Sequence, residues 1–401
     1  MRRKPGKSQR KIRVVKKPSL DFSVTGLVYC TIMMFIGLAA INTQANLLFG
    51  VFGLMIGILM VSFIISGLVL NRLKVERVLP DHAIVGRPMA IYYQITNQKR
   101  FWPSLSVTIT ELDRTESFSR QPSAYLLHCA NRMTATVPTE VVPLKRGVVE
   151  LDHYQISTSF PFGFVKRAMT RHQKDNLVVF PAIGSIRREL IQRFRSAEST
   201  GQNVHPSQGG NDEFYGVKEY RQGENPRWIY WKRSARGMGT VMREMTRVSP
   251  PKLLVLVDTH LQSEQIEYRA LIERAIAMSA TLIDQTMEAG LPVGLCVWDG
   301  QWTVIAPNRG KRHRLELLTL LARIEYDGPD GVNGLLEAAR PMIKSDVTTV
   351  IISPQKVSMS LGQSVRGGLI TLSSAEDQYQ RYFQFSPEID FFHDLGSERK
   401  I

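Results

Sequence analysis

The spacing of apolar positions divides the chain into three kinds of sequence. Between Phe22 and Asn71 no Asp, Glu, Lys or Arg occurs. Within that stretch Val24 to Ile41 and Leu47 to Leu70 are each long enough, at about 1.5 Å per helical residue, to cross a hydrocarbon layer of about 30 Å. The polar break Asn42-Thr43-Gln44-Ala45-Asn46 reads as the turn of a two-helix hairpin. Two other readings fit less well. A buried hairpin of a soluble protein seldom runs so far without a charge. A cleaved signal peptide ending near Ala45 would have a shorter apolar run and no second span directly behind it.

From about Val75 to Pro181 the pattern changes to short alternating segments: Met89 to Ile95, Leu105 to Thr110, Ala135 to Val137, Val148 to Leu151 and Leu177 to Phe180. Turn signals at Asn97, Pro103, Lys145-Arg146-Gly147 and Pro161-Phe162-Gly163 separate them. No long helical period intervenes, which predicts an antiparallel, sandwich-like module. A short helical patch at Arg187 to Phe194 leads into charged, Ser/Gly/Gln-containing sequence up to Gly210, which reads as a linker or loop. After Pro250-Pro251 strand and helix patterns alternate. Strands are predicted at Lys252 to Asp258, Pro292 to Trp298, Trp302 to Ala306, Thr348 to Ser353 and Leu369 to Leu372. Helices are predicted near Glu264 to Ala289, Arg312 to Ile324 and Gly334 to Ile343. That alternation implies a mainly parallel sheet covered by helices. The aromatic tail from Gln378 is expected to pack against the rest of the chain.

Charge adds a direction. The chain has 401 residues and a formal net charge of +15. Nine Lys and Arg residues and no acid lie in residues 1–20, whereas the turn at 42–46 is uncharged. The positive-inside rule therefore places the N-terminus in the cytoplasm, and two spans return the chain to that side, where Arg72, Lys74 and Arg77 flank the membrane. Because most of the excess charge sits beside a span, it reads as a topology signal that also favours anionic lipid, not as a nucleic-acid surface. Cys30, Cys129 and Cys296 show no paired spacing, which suits a reducing compartment and gives neither a disulfide framework nor a zinc site.

The most distinctive stretch runs Gly210-Asn211-Asp212-Glu213-Phe214, through Val217-Lys218-Glu219-Tyr220-Arg221 and Gly223-Glu224-Asn225-Pro226-Arg227, to Trp228-Ile229-Tyr230-Trp231 and Ser234-Ala235-Arg236. It resembles the signature of the bacterial family called domain of unknown function 58, roughly G-x-E-F, R-x-Y, G-D-x-x-R-x-I-x-W and A-R. The Lys145-Arg146-Gly147 and Pro161-Phe162-Gly163 turns agree with the same family. Lys218 stands where the family often has Arg, and Glu224 where it usually has Asp; an Arg-to-Lys change loses bidentate geometry. Asn225 as cap, Pro226 at the first helical position and Gly237 after Arg236 predict a helix of about three turns, with Arg227 and Trp231 four apart on one face. Glu213, Phe214, Tyr220, Arg221, Arg227, Trp231 and Arg236 are the candidate site. They are read either as a partner-docking surface or as an ion-pair network of Glu213, Arg221, Arg227 and Arg236 that ties domains together. The set lacks a nucleophile, a His base or converging carboxylates, so no enzyme is expected.

The resemblance implies a von Willebrand factor A-like C-terminal module, and such modules often hold Mg²⁺ through D-x-S-x-S after the first strand. The matching positions are Asp258, Thr259, His260, Leu261 and Gln262; both serines are missing, so Asp258 alone is a weak metal candidate and no cofactor is expected. Searches for a P-loop, H-E-x-x-H and G-x-S-x-G find nothing, and the glycines of Gly328 to Gly334 read as a turn before a helix.

The fold class expected is an α+β multidomain membrane protein with six parts. These are a basic cytoplasmic tail (1–21), a transmembrane helical hairpin (22–71), a β-sandwich-like module (72–182), a linker with the signature motif (183–249), the von Willebrand A-like, Rossmann-like α/β module (250–380) and a C-terminal tail (381–401). By resemblance the chain is expected to be a non-catalytic scaffold at the bacterial inner membrane, with both termini cytoplasmic. Its implied partners are a MoxR-type AAA+ ATPase and a transglutaminase-like membrane protein, with no nucleic acid. The alternative is a divalent-metal-dependent binder or enzyme using Asp258.

Overall fold

The computed structural model describes residues 13–14, 19–113, 115–196, 213–237, 239–246, 252–262, 265–325, 331–344, 347–355, 369–375, 380–387 and 389. The first twelve residues of the basic tail, most of the linker, Gly328 to Asp330 and the end of the C-terminal tail lie outside them. The chain forms two compact units, Met1–Phe180 and Pro181–Ile401.

In the first unit β1 (Arg13–Val14) and β2 (Ser19–Phe22) precede helices α1 (Val24–Thr43) and α2 (Asn46–Leu70). Both helices are apolar around their whole circumference. Both are long and apolar enough to cross a membrane, and only 17% and 6% of their most apolar windows are covered by the rest of the chain. The core helix of a soluble protein is mostly covered; these leave Val24, Leu27, Phe35, Ile41, Leu47 and Leu54 exposed. The residues that α1 does bury are small, Gly26, Gly37 and Ala40; Gly26 lies against the backbone of Phe164, and Gly37 lets the Phe52 ring of α2 approach closely.

Strands β3 (Leu73–Val78), β4 (Ala83–Ile84), β5 (Met89–Asn97), β6 (Ser104–Glu111), β7 (Ser123–Cys129), β8 (Thr134–Val141), β9 (Gly147–Thr158) and β10 (Val165–Phe180) come next. They make a three-stranded sheet, β3-β5-β8, and a seven-stranded sheet ordered β1-β10-β9-β6-β7 with β2 and β4 also on β10. Ile91, Tyr93 and Ile95 of one sheet and Ile109, Leu151, Ile156 and Leu177 of the other enter a single core. Each large aliphatic buried there contributes roughly 1.5–3 kcal/mol.

That core also contains a charge. Arg77, expected to flank the membrane, is instead fully enclosed. Its Nη1 donates to Glu111 Oε2 at 2.6 Å and its Nε to Asp175 Oδ2 at 3.2 Å, while Nη2 donates to the carbonyls of Leu151 and Gln173, each at 2.5 Å. Tyr93 donates to the other Glu111 oxygen at 2.8 Å, and the guanidinium lies over the Tyr154 ring. A register shift in β10 between His172 and Asp175 accompanies the site. Burial pushes the Glu111 carboxyl up, and Arg77 opposes that rise. A side chain a few residues past the end of an apolar helix reads as a flank in sequence; alternation in β3 turns it inward.

The second unit opens with β11 (Ser185–Ile186) and α3 (Arg188–Ser196). The start of the segment read as linker is therefore built into the fold. Gly184 N donates to Thr281 Oγ1, Ile186 N donates to Gln285 Oε1, and β11 pairs with β19 (Phe383–Gln384) near the chain's end. Tyr382 and Phe383 are buried there, in agreement with the packing expected of the aromatic tail. The hairpin of β12 (Glu213–Glu219) and β13 (Val241–Thr246) stands as a two-stranded sheet.

Beyond it come β14 (Lys252–Val257), α5 (Ile266–Glu288), β15 (Val293–Trp298), β16 (Trp302–Asn308), α6 (Lys311–Arg323), α7 (Gly331–Ala339), β17 (Val347–Ser353) and β18 (Leu369–Ser373), with α4 (Trp231–Ser234) lying inside the hairpin. The five-stranded sheet is ordered β16-β15-β14-β17-β18, parallel except for the edge strand β16. In β14, Leu254 and Leu256 meet Leu335 and Ala339 of α7. Alternation puts Leu253, Val255 and Val257 on the opposite face. Covered on both sides, the strand has no polar face, which is why it reads as one continuous apolar run.

Candidate functional site

The described part of the signature motif runs along β12 and through the loop that joins it to β13. Tyr220 N donates to Thr240 O at 2.8 Å and closes the hairpin, and Gly223, at φ 103, makes a turn that side-chain-bearing residues avoid. Asn225 acts as the predicted cap, its Oδ1 accepting from Arg227 N at 3.1 Å. The three-turn helix does not form. Pro226–Trp228 is a single 3-10 turn, Ile229 bridges to Met242 in the manner of a strand, and Tyr230 N donates to Val241 O at 2.8 Å. Only Trp231–Ser234 is α-helical. The strand β13 thus competes for the backbone in mid-motif and wins, so Arg227 and Trp231 lie on different elements instead of one helix face.

The inner side of this loop is satisfied by itself. Ser234 Oγ accepts from Val241 N at 3.0 Å and donates to Tyr230 O at 3.1 Å, Tyr220 OH donates to Glu224 O at 3.2 Å, and Arg243 lies over the Tyr230 ring at 4.5 Å. Lys218 and Glu224, the two departures from the family pattern, meet each other: Nζ to Oε1 is 2.6 Å. The other oxygen, Oε2, accepts from Arg221 N at 3.2 Å. The Lys218 bond, then that backbone bond, holds the Glu224 carboxyl below the usual carboxylate range. The longer acid reaches the shorter-headed base, so the departures compensate as a pair.

The outer side is not satisfied. Trp231 is 68% exposed, and Arg221, Arg227, Lys232, Arg233 and Arg236 of the same motif are exposed too. Among the described residues none of Arg221, Arg227 and Arg236 forms an ion pair, and the side chain of Glu213, the acid of the expected network, lies outside them. The side chain of Phe214, also a candidate site residue, lies outside the described residues as well. Sequence reasoning missed Arg233 and Arg243; the adjacent Lys232-Arg233 pair beside Trp231 was the available signal for the first.

Asp258 stands one residue past β14, where the sheet order turns back: β15 lies to one side of β14 and β17 to the other. In open α/β sheets ligands gather at such points, outside the carboxyl ends of the strands. Asp258 Oδ1 accepts from His260 N at 3.0 Å and Oδ2 accepts from Ser353 Oγ at 2.8 Å. Asp258 therefore caps the turn after its strand, with Ser353 as a partner that local spacing could not show. Thr259 is buried, and among the described residues its Oγ1 has no hydrogen-bond partner. Burial, then the Asp258 charge, pushes the Tyr268 phenol up to about 12. Among the described residues no group of three or more His, Cys, Asp or Glu side chains converges as a metal site.

No curated protein matches the chain. Residues 216–353, which begin inside the signature hairpin and end at the serine bonded to Asp258, match the family described as protein of unknown function DUF58.

Proposed function

We propose that this chain is a non-catalytic interaction protein held at the bacterial inner membrane by α1 and α2, with both termini in the cytoplasm. The observation that carries the reading is Trp231, 68% exposed among arginines that form no ion pair with a described residue, on a loop whose inner hydrogen bonds are already made. Leaving so large an apolar ring in water is unfavourable, and Trp with Arg is the pair most enriched where proteins bind one another. The hydrogen bonds that shape the loop do not involve that ring. The family resemblance supplies the partners to try, a MoxR-type AAA+ ATPase first and a transglutaminase-like membrane protein second. The parallel sheet and the place of Asp258 support a von Willebrand A-like reading of the second unit. The tail's charge reads as topology, with no nucleic acid involved.

The test uses the full chain in detergent, immobilised, with the MoxR-type ATPase of the same cell as analyte. Arg227→Ala and Trp231→Ala are each expected to weaken capture about 30-fold, as hot-spot residues do. Capture unchanged by both substitutions would remove the motif as the docking surface.

A second reading is favoured by Thr259, whose buried Oγ1 has no hydrogen-bond partner among the described residues and which follows Asp258, itself bonded to the Ser353 hydroxyl, at the turn of the sheet. Three oxygens suit a hard divalent cation such as Mg²⁺. Against it, both Asp258 oxygens already accept hydrogen bonds. Calorimetric titration with Mg²⁺ decides: heat that disappears in Asp258→Asn supports a metal-dependent role, and a flat titration ends it.

A further inference from the structure

The strand registers of the first unit sort its loops into two ends. α1 begins two residues after Phe22, which pairs with Val165, and α2 ends three residues before Leu73, which pairs with Asn97. Thr96 pairs with Thr134, Ser104 with Cys129, and Val107 with Thr158. The end from which both helices depart therefore carries three loops, residues 98–103, 130–133 and 159–164. The opposite end carries residues 79–88, 112–122 and 142–146.

The two ends differ in chemistry. The helix-side loops, with Arg72 beside them, contain Lys99, Arg100 and Arg132 and no acid, whereas the far loops hold Asp81, Asp113 and Glu116 among their bases. The helix-side loops also expose large apolar side chains: Phe101 at 80%, Met133 at 61%, Phe162 at 49% and Trp102 at 44%. None of these loops is left to swing freely. Lys99 Nζ donates to Leu68 O and Val69 O at the end of α2, at 3.0 and 2.6 Å, and to Ser104 Oγ at 2.6 Å. Asn131 Nδ2 donates to Arg100 O at 2.9 Å, joining the second loop to the first. Phe164 stacks on Tyr29 with centroids 4.2 Å apart, and its carbonyl accepts from Ser23 N at 3.0 Å, fixing the third loop to α1. Aromatic rings with cations and no acids, held where apolar helices end, match the headgroup layer of an anionic bilayer.

We propose that this end of the β-module is a second membrane contact. Phe101, Trp102, Met133 and Phe162 enter the boundary between headgroups and acyl chains, while Arg72, Arg100 and Arg132 lie among anionic headgroups. The module is thereby set end-on against the bilayer instead of hanging from α1 and α2 as from a tether. This rests on reading those helices as membrane spans, and the experiment separates the two ideas.

The full chain, with Cys30→Ser, Cys129→Ala and Cys296→Ala, is spin-labelled singly at Phe101→Cys, Met133→Cys, Phe162→Cys, Leu54→Cys or Asp81→Cys. Each product is reconstituted in vesicles of phosphatidylethanolamine and phosphatidylglycerol. Collisions with oxygen, which enters lipid, are compared with collisions with a water-borne nickel chelate. Labels at 101, 133 and 162 are expected to favour oxygen, less than a label at 54 and more than one at 81. Water-like values at all three with a lipid-like value at 54 overturn the contact and leave the spans intact; a water-like value at 54 overturns both. Shielding of the three from both probes marks a protein partner and also overturns it. Independently of the cysteine background, brominated lipid is expected to quench part of the tryptophan emission of the unaltered chain, and Trp102→Phe to remove that part. Quenching unaltered in Trp102→Phe counts equally against the proposal.

Discussion

Arg77 in the first unit and Arg227 in the second are the same residue type put to opposite uses. Arg77 has no exposed side-chain surface and directs its donors at two carboxylates and two carbonyls. Arg227 is exposed, and among the described residues it has no ion-pair partner. A buried guanidinium is retained only if its partners remove the desolvation penalty, so Arg77 is committed to the fold. An exposed one beside an uncovered Trp is free to engage something else.

The largest effect that could break this contrast is on stability. Arg77→Ala leaves Glu111 and Asp175 enclosed without a countercharge and is expected to lose about 3–5 kcal/mol, measured by denaturant unfolding in detergent. Arg227→Ala and Arg236→Ala should stay within about 0.5 kcal/mol of the parent. Equal losses in all three would show that the motif arginines are structural too. Next in size is the partner capture proposed for Arg227 and Trp231, worth about 2 kcal/mol each at a hot spot.

Lys99 sharpens the contrast as an intermediate case, a buried cation facing carbonyls and a hydroxyl without a carboxylate. Lys99→Met is expected to lose about 1–3 kcal/mol, because the carbonyls of Leu68 and Val69 are left without their donor. Burial lowers the Lys99 amine from 10.5 to about 8. Between those values the unfolded chain binds more protons than the folded one, so this group's contribution to stability rises with pH across the window. A thermal unfolding series from pH 8 upward should show that rise in the parent and not in Lys99→Met.

The smallest effect concerns Lys218 and Glu224. The folded Glu224 carboxyl lies below its usual range, so its stabilisation is present above the ordinary carboxylate value and fades as pH falls through the folded one. Lys218→Arg combined with Glu224→Asp, which restores the family's residue types, is expected to keep the hairpin's amide exchange protection, and each single change to reduce it. Singles and double behaving alike would mean that the two departures are independent.

By itself the sequence determined the apolar hairpin, the order of strands and helices from β14 onward, several strands of the first unit and the family signature. Each of these is local: a missing charge, a period, a turn residue. Segments whose polar residues are used in pairing were not legible. Leu73–Val78 hides Leu73, Val75 and Arg77 behind Lys74 and Glu76, and the first half of β10 is mostly Lys, Arg, His, Thr and Gln. At the candidate site the sequence supplied the residue types and the Asn225 cap. Tertiary structure alone decided that Ile229 joins β13, that Lys218 meets Glu224 and that Ser353 reaches Asp258 across 95 residues. Hydrogen bonds and ion pairs act over about 3 Å whatever the separation along the chain, so only the folded backbone says which donors and acceptors stand that close.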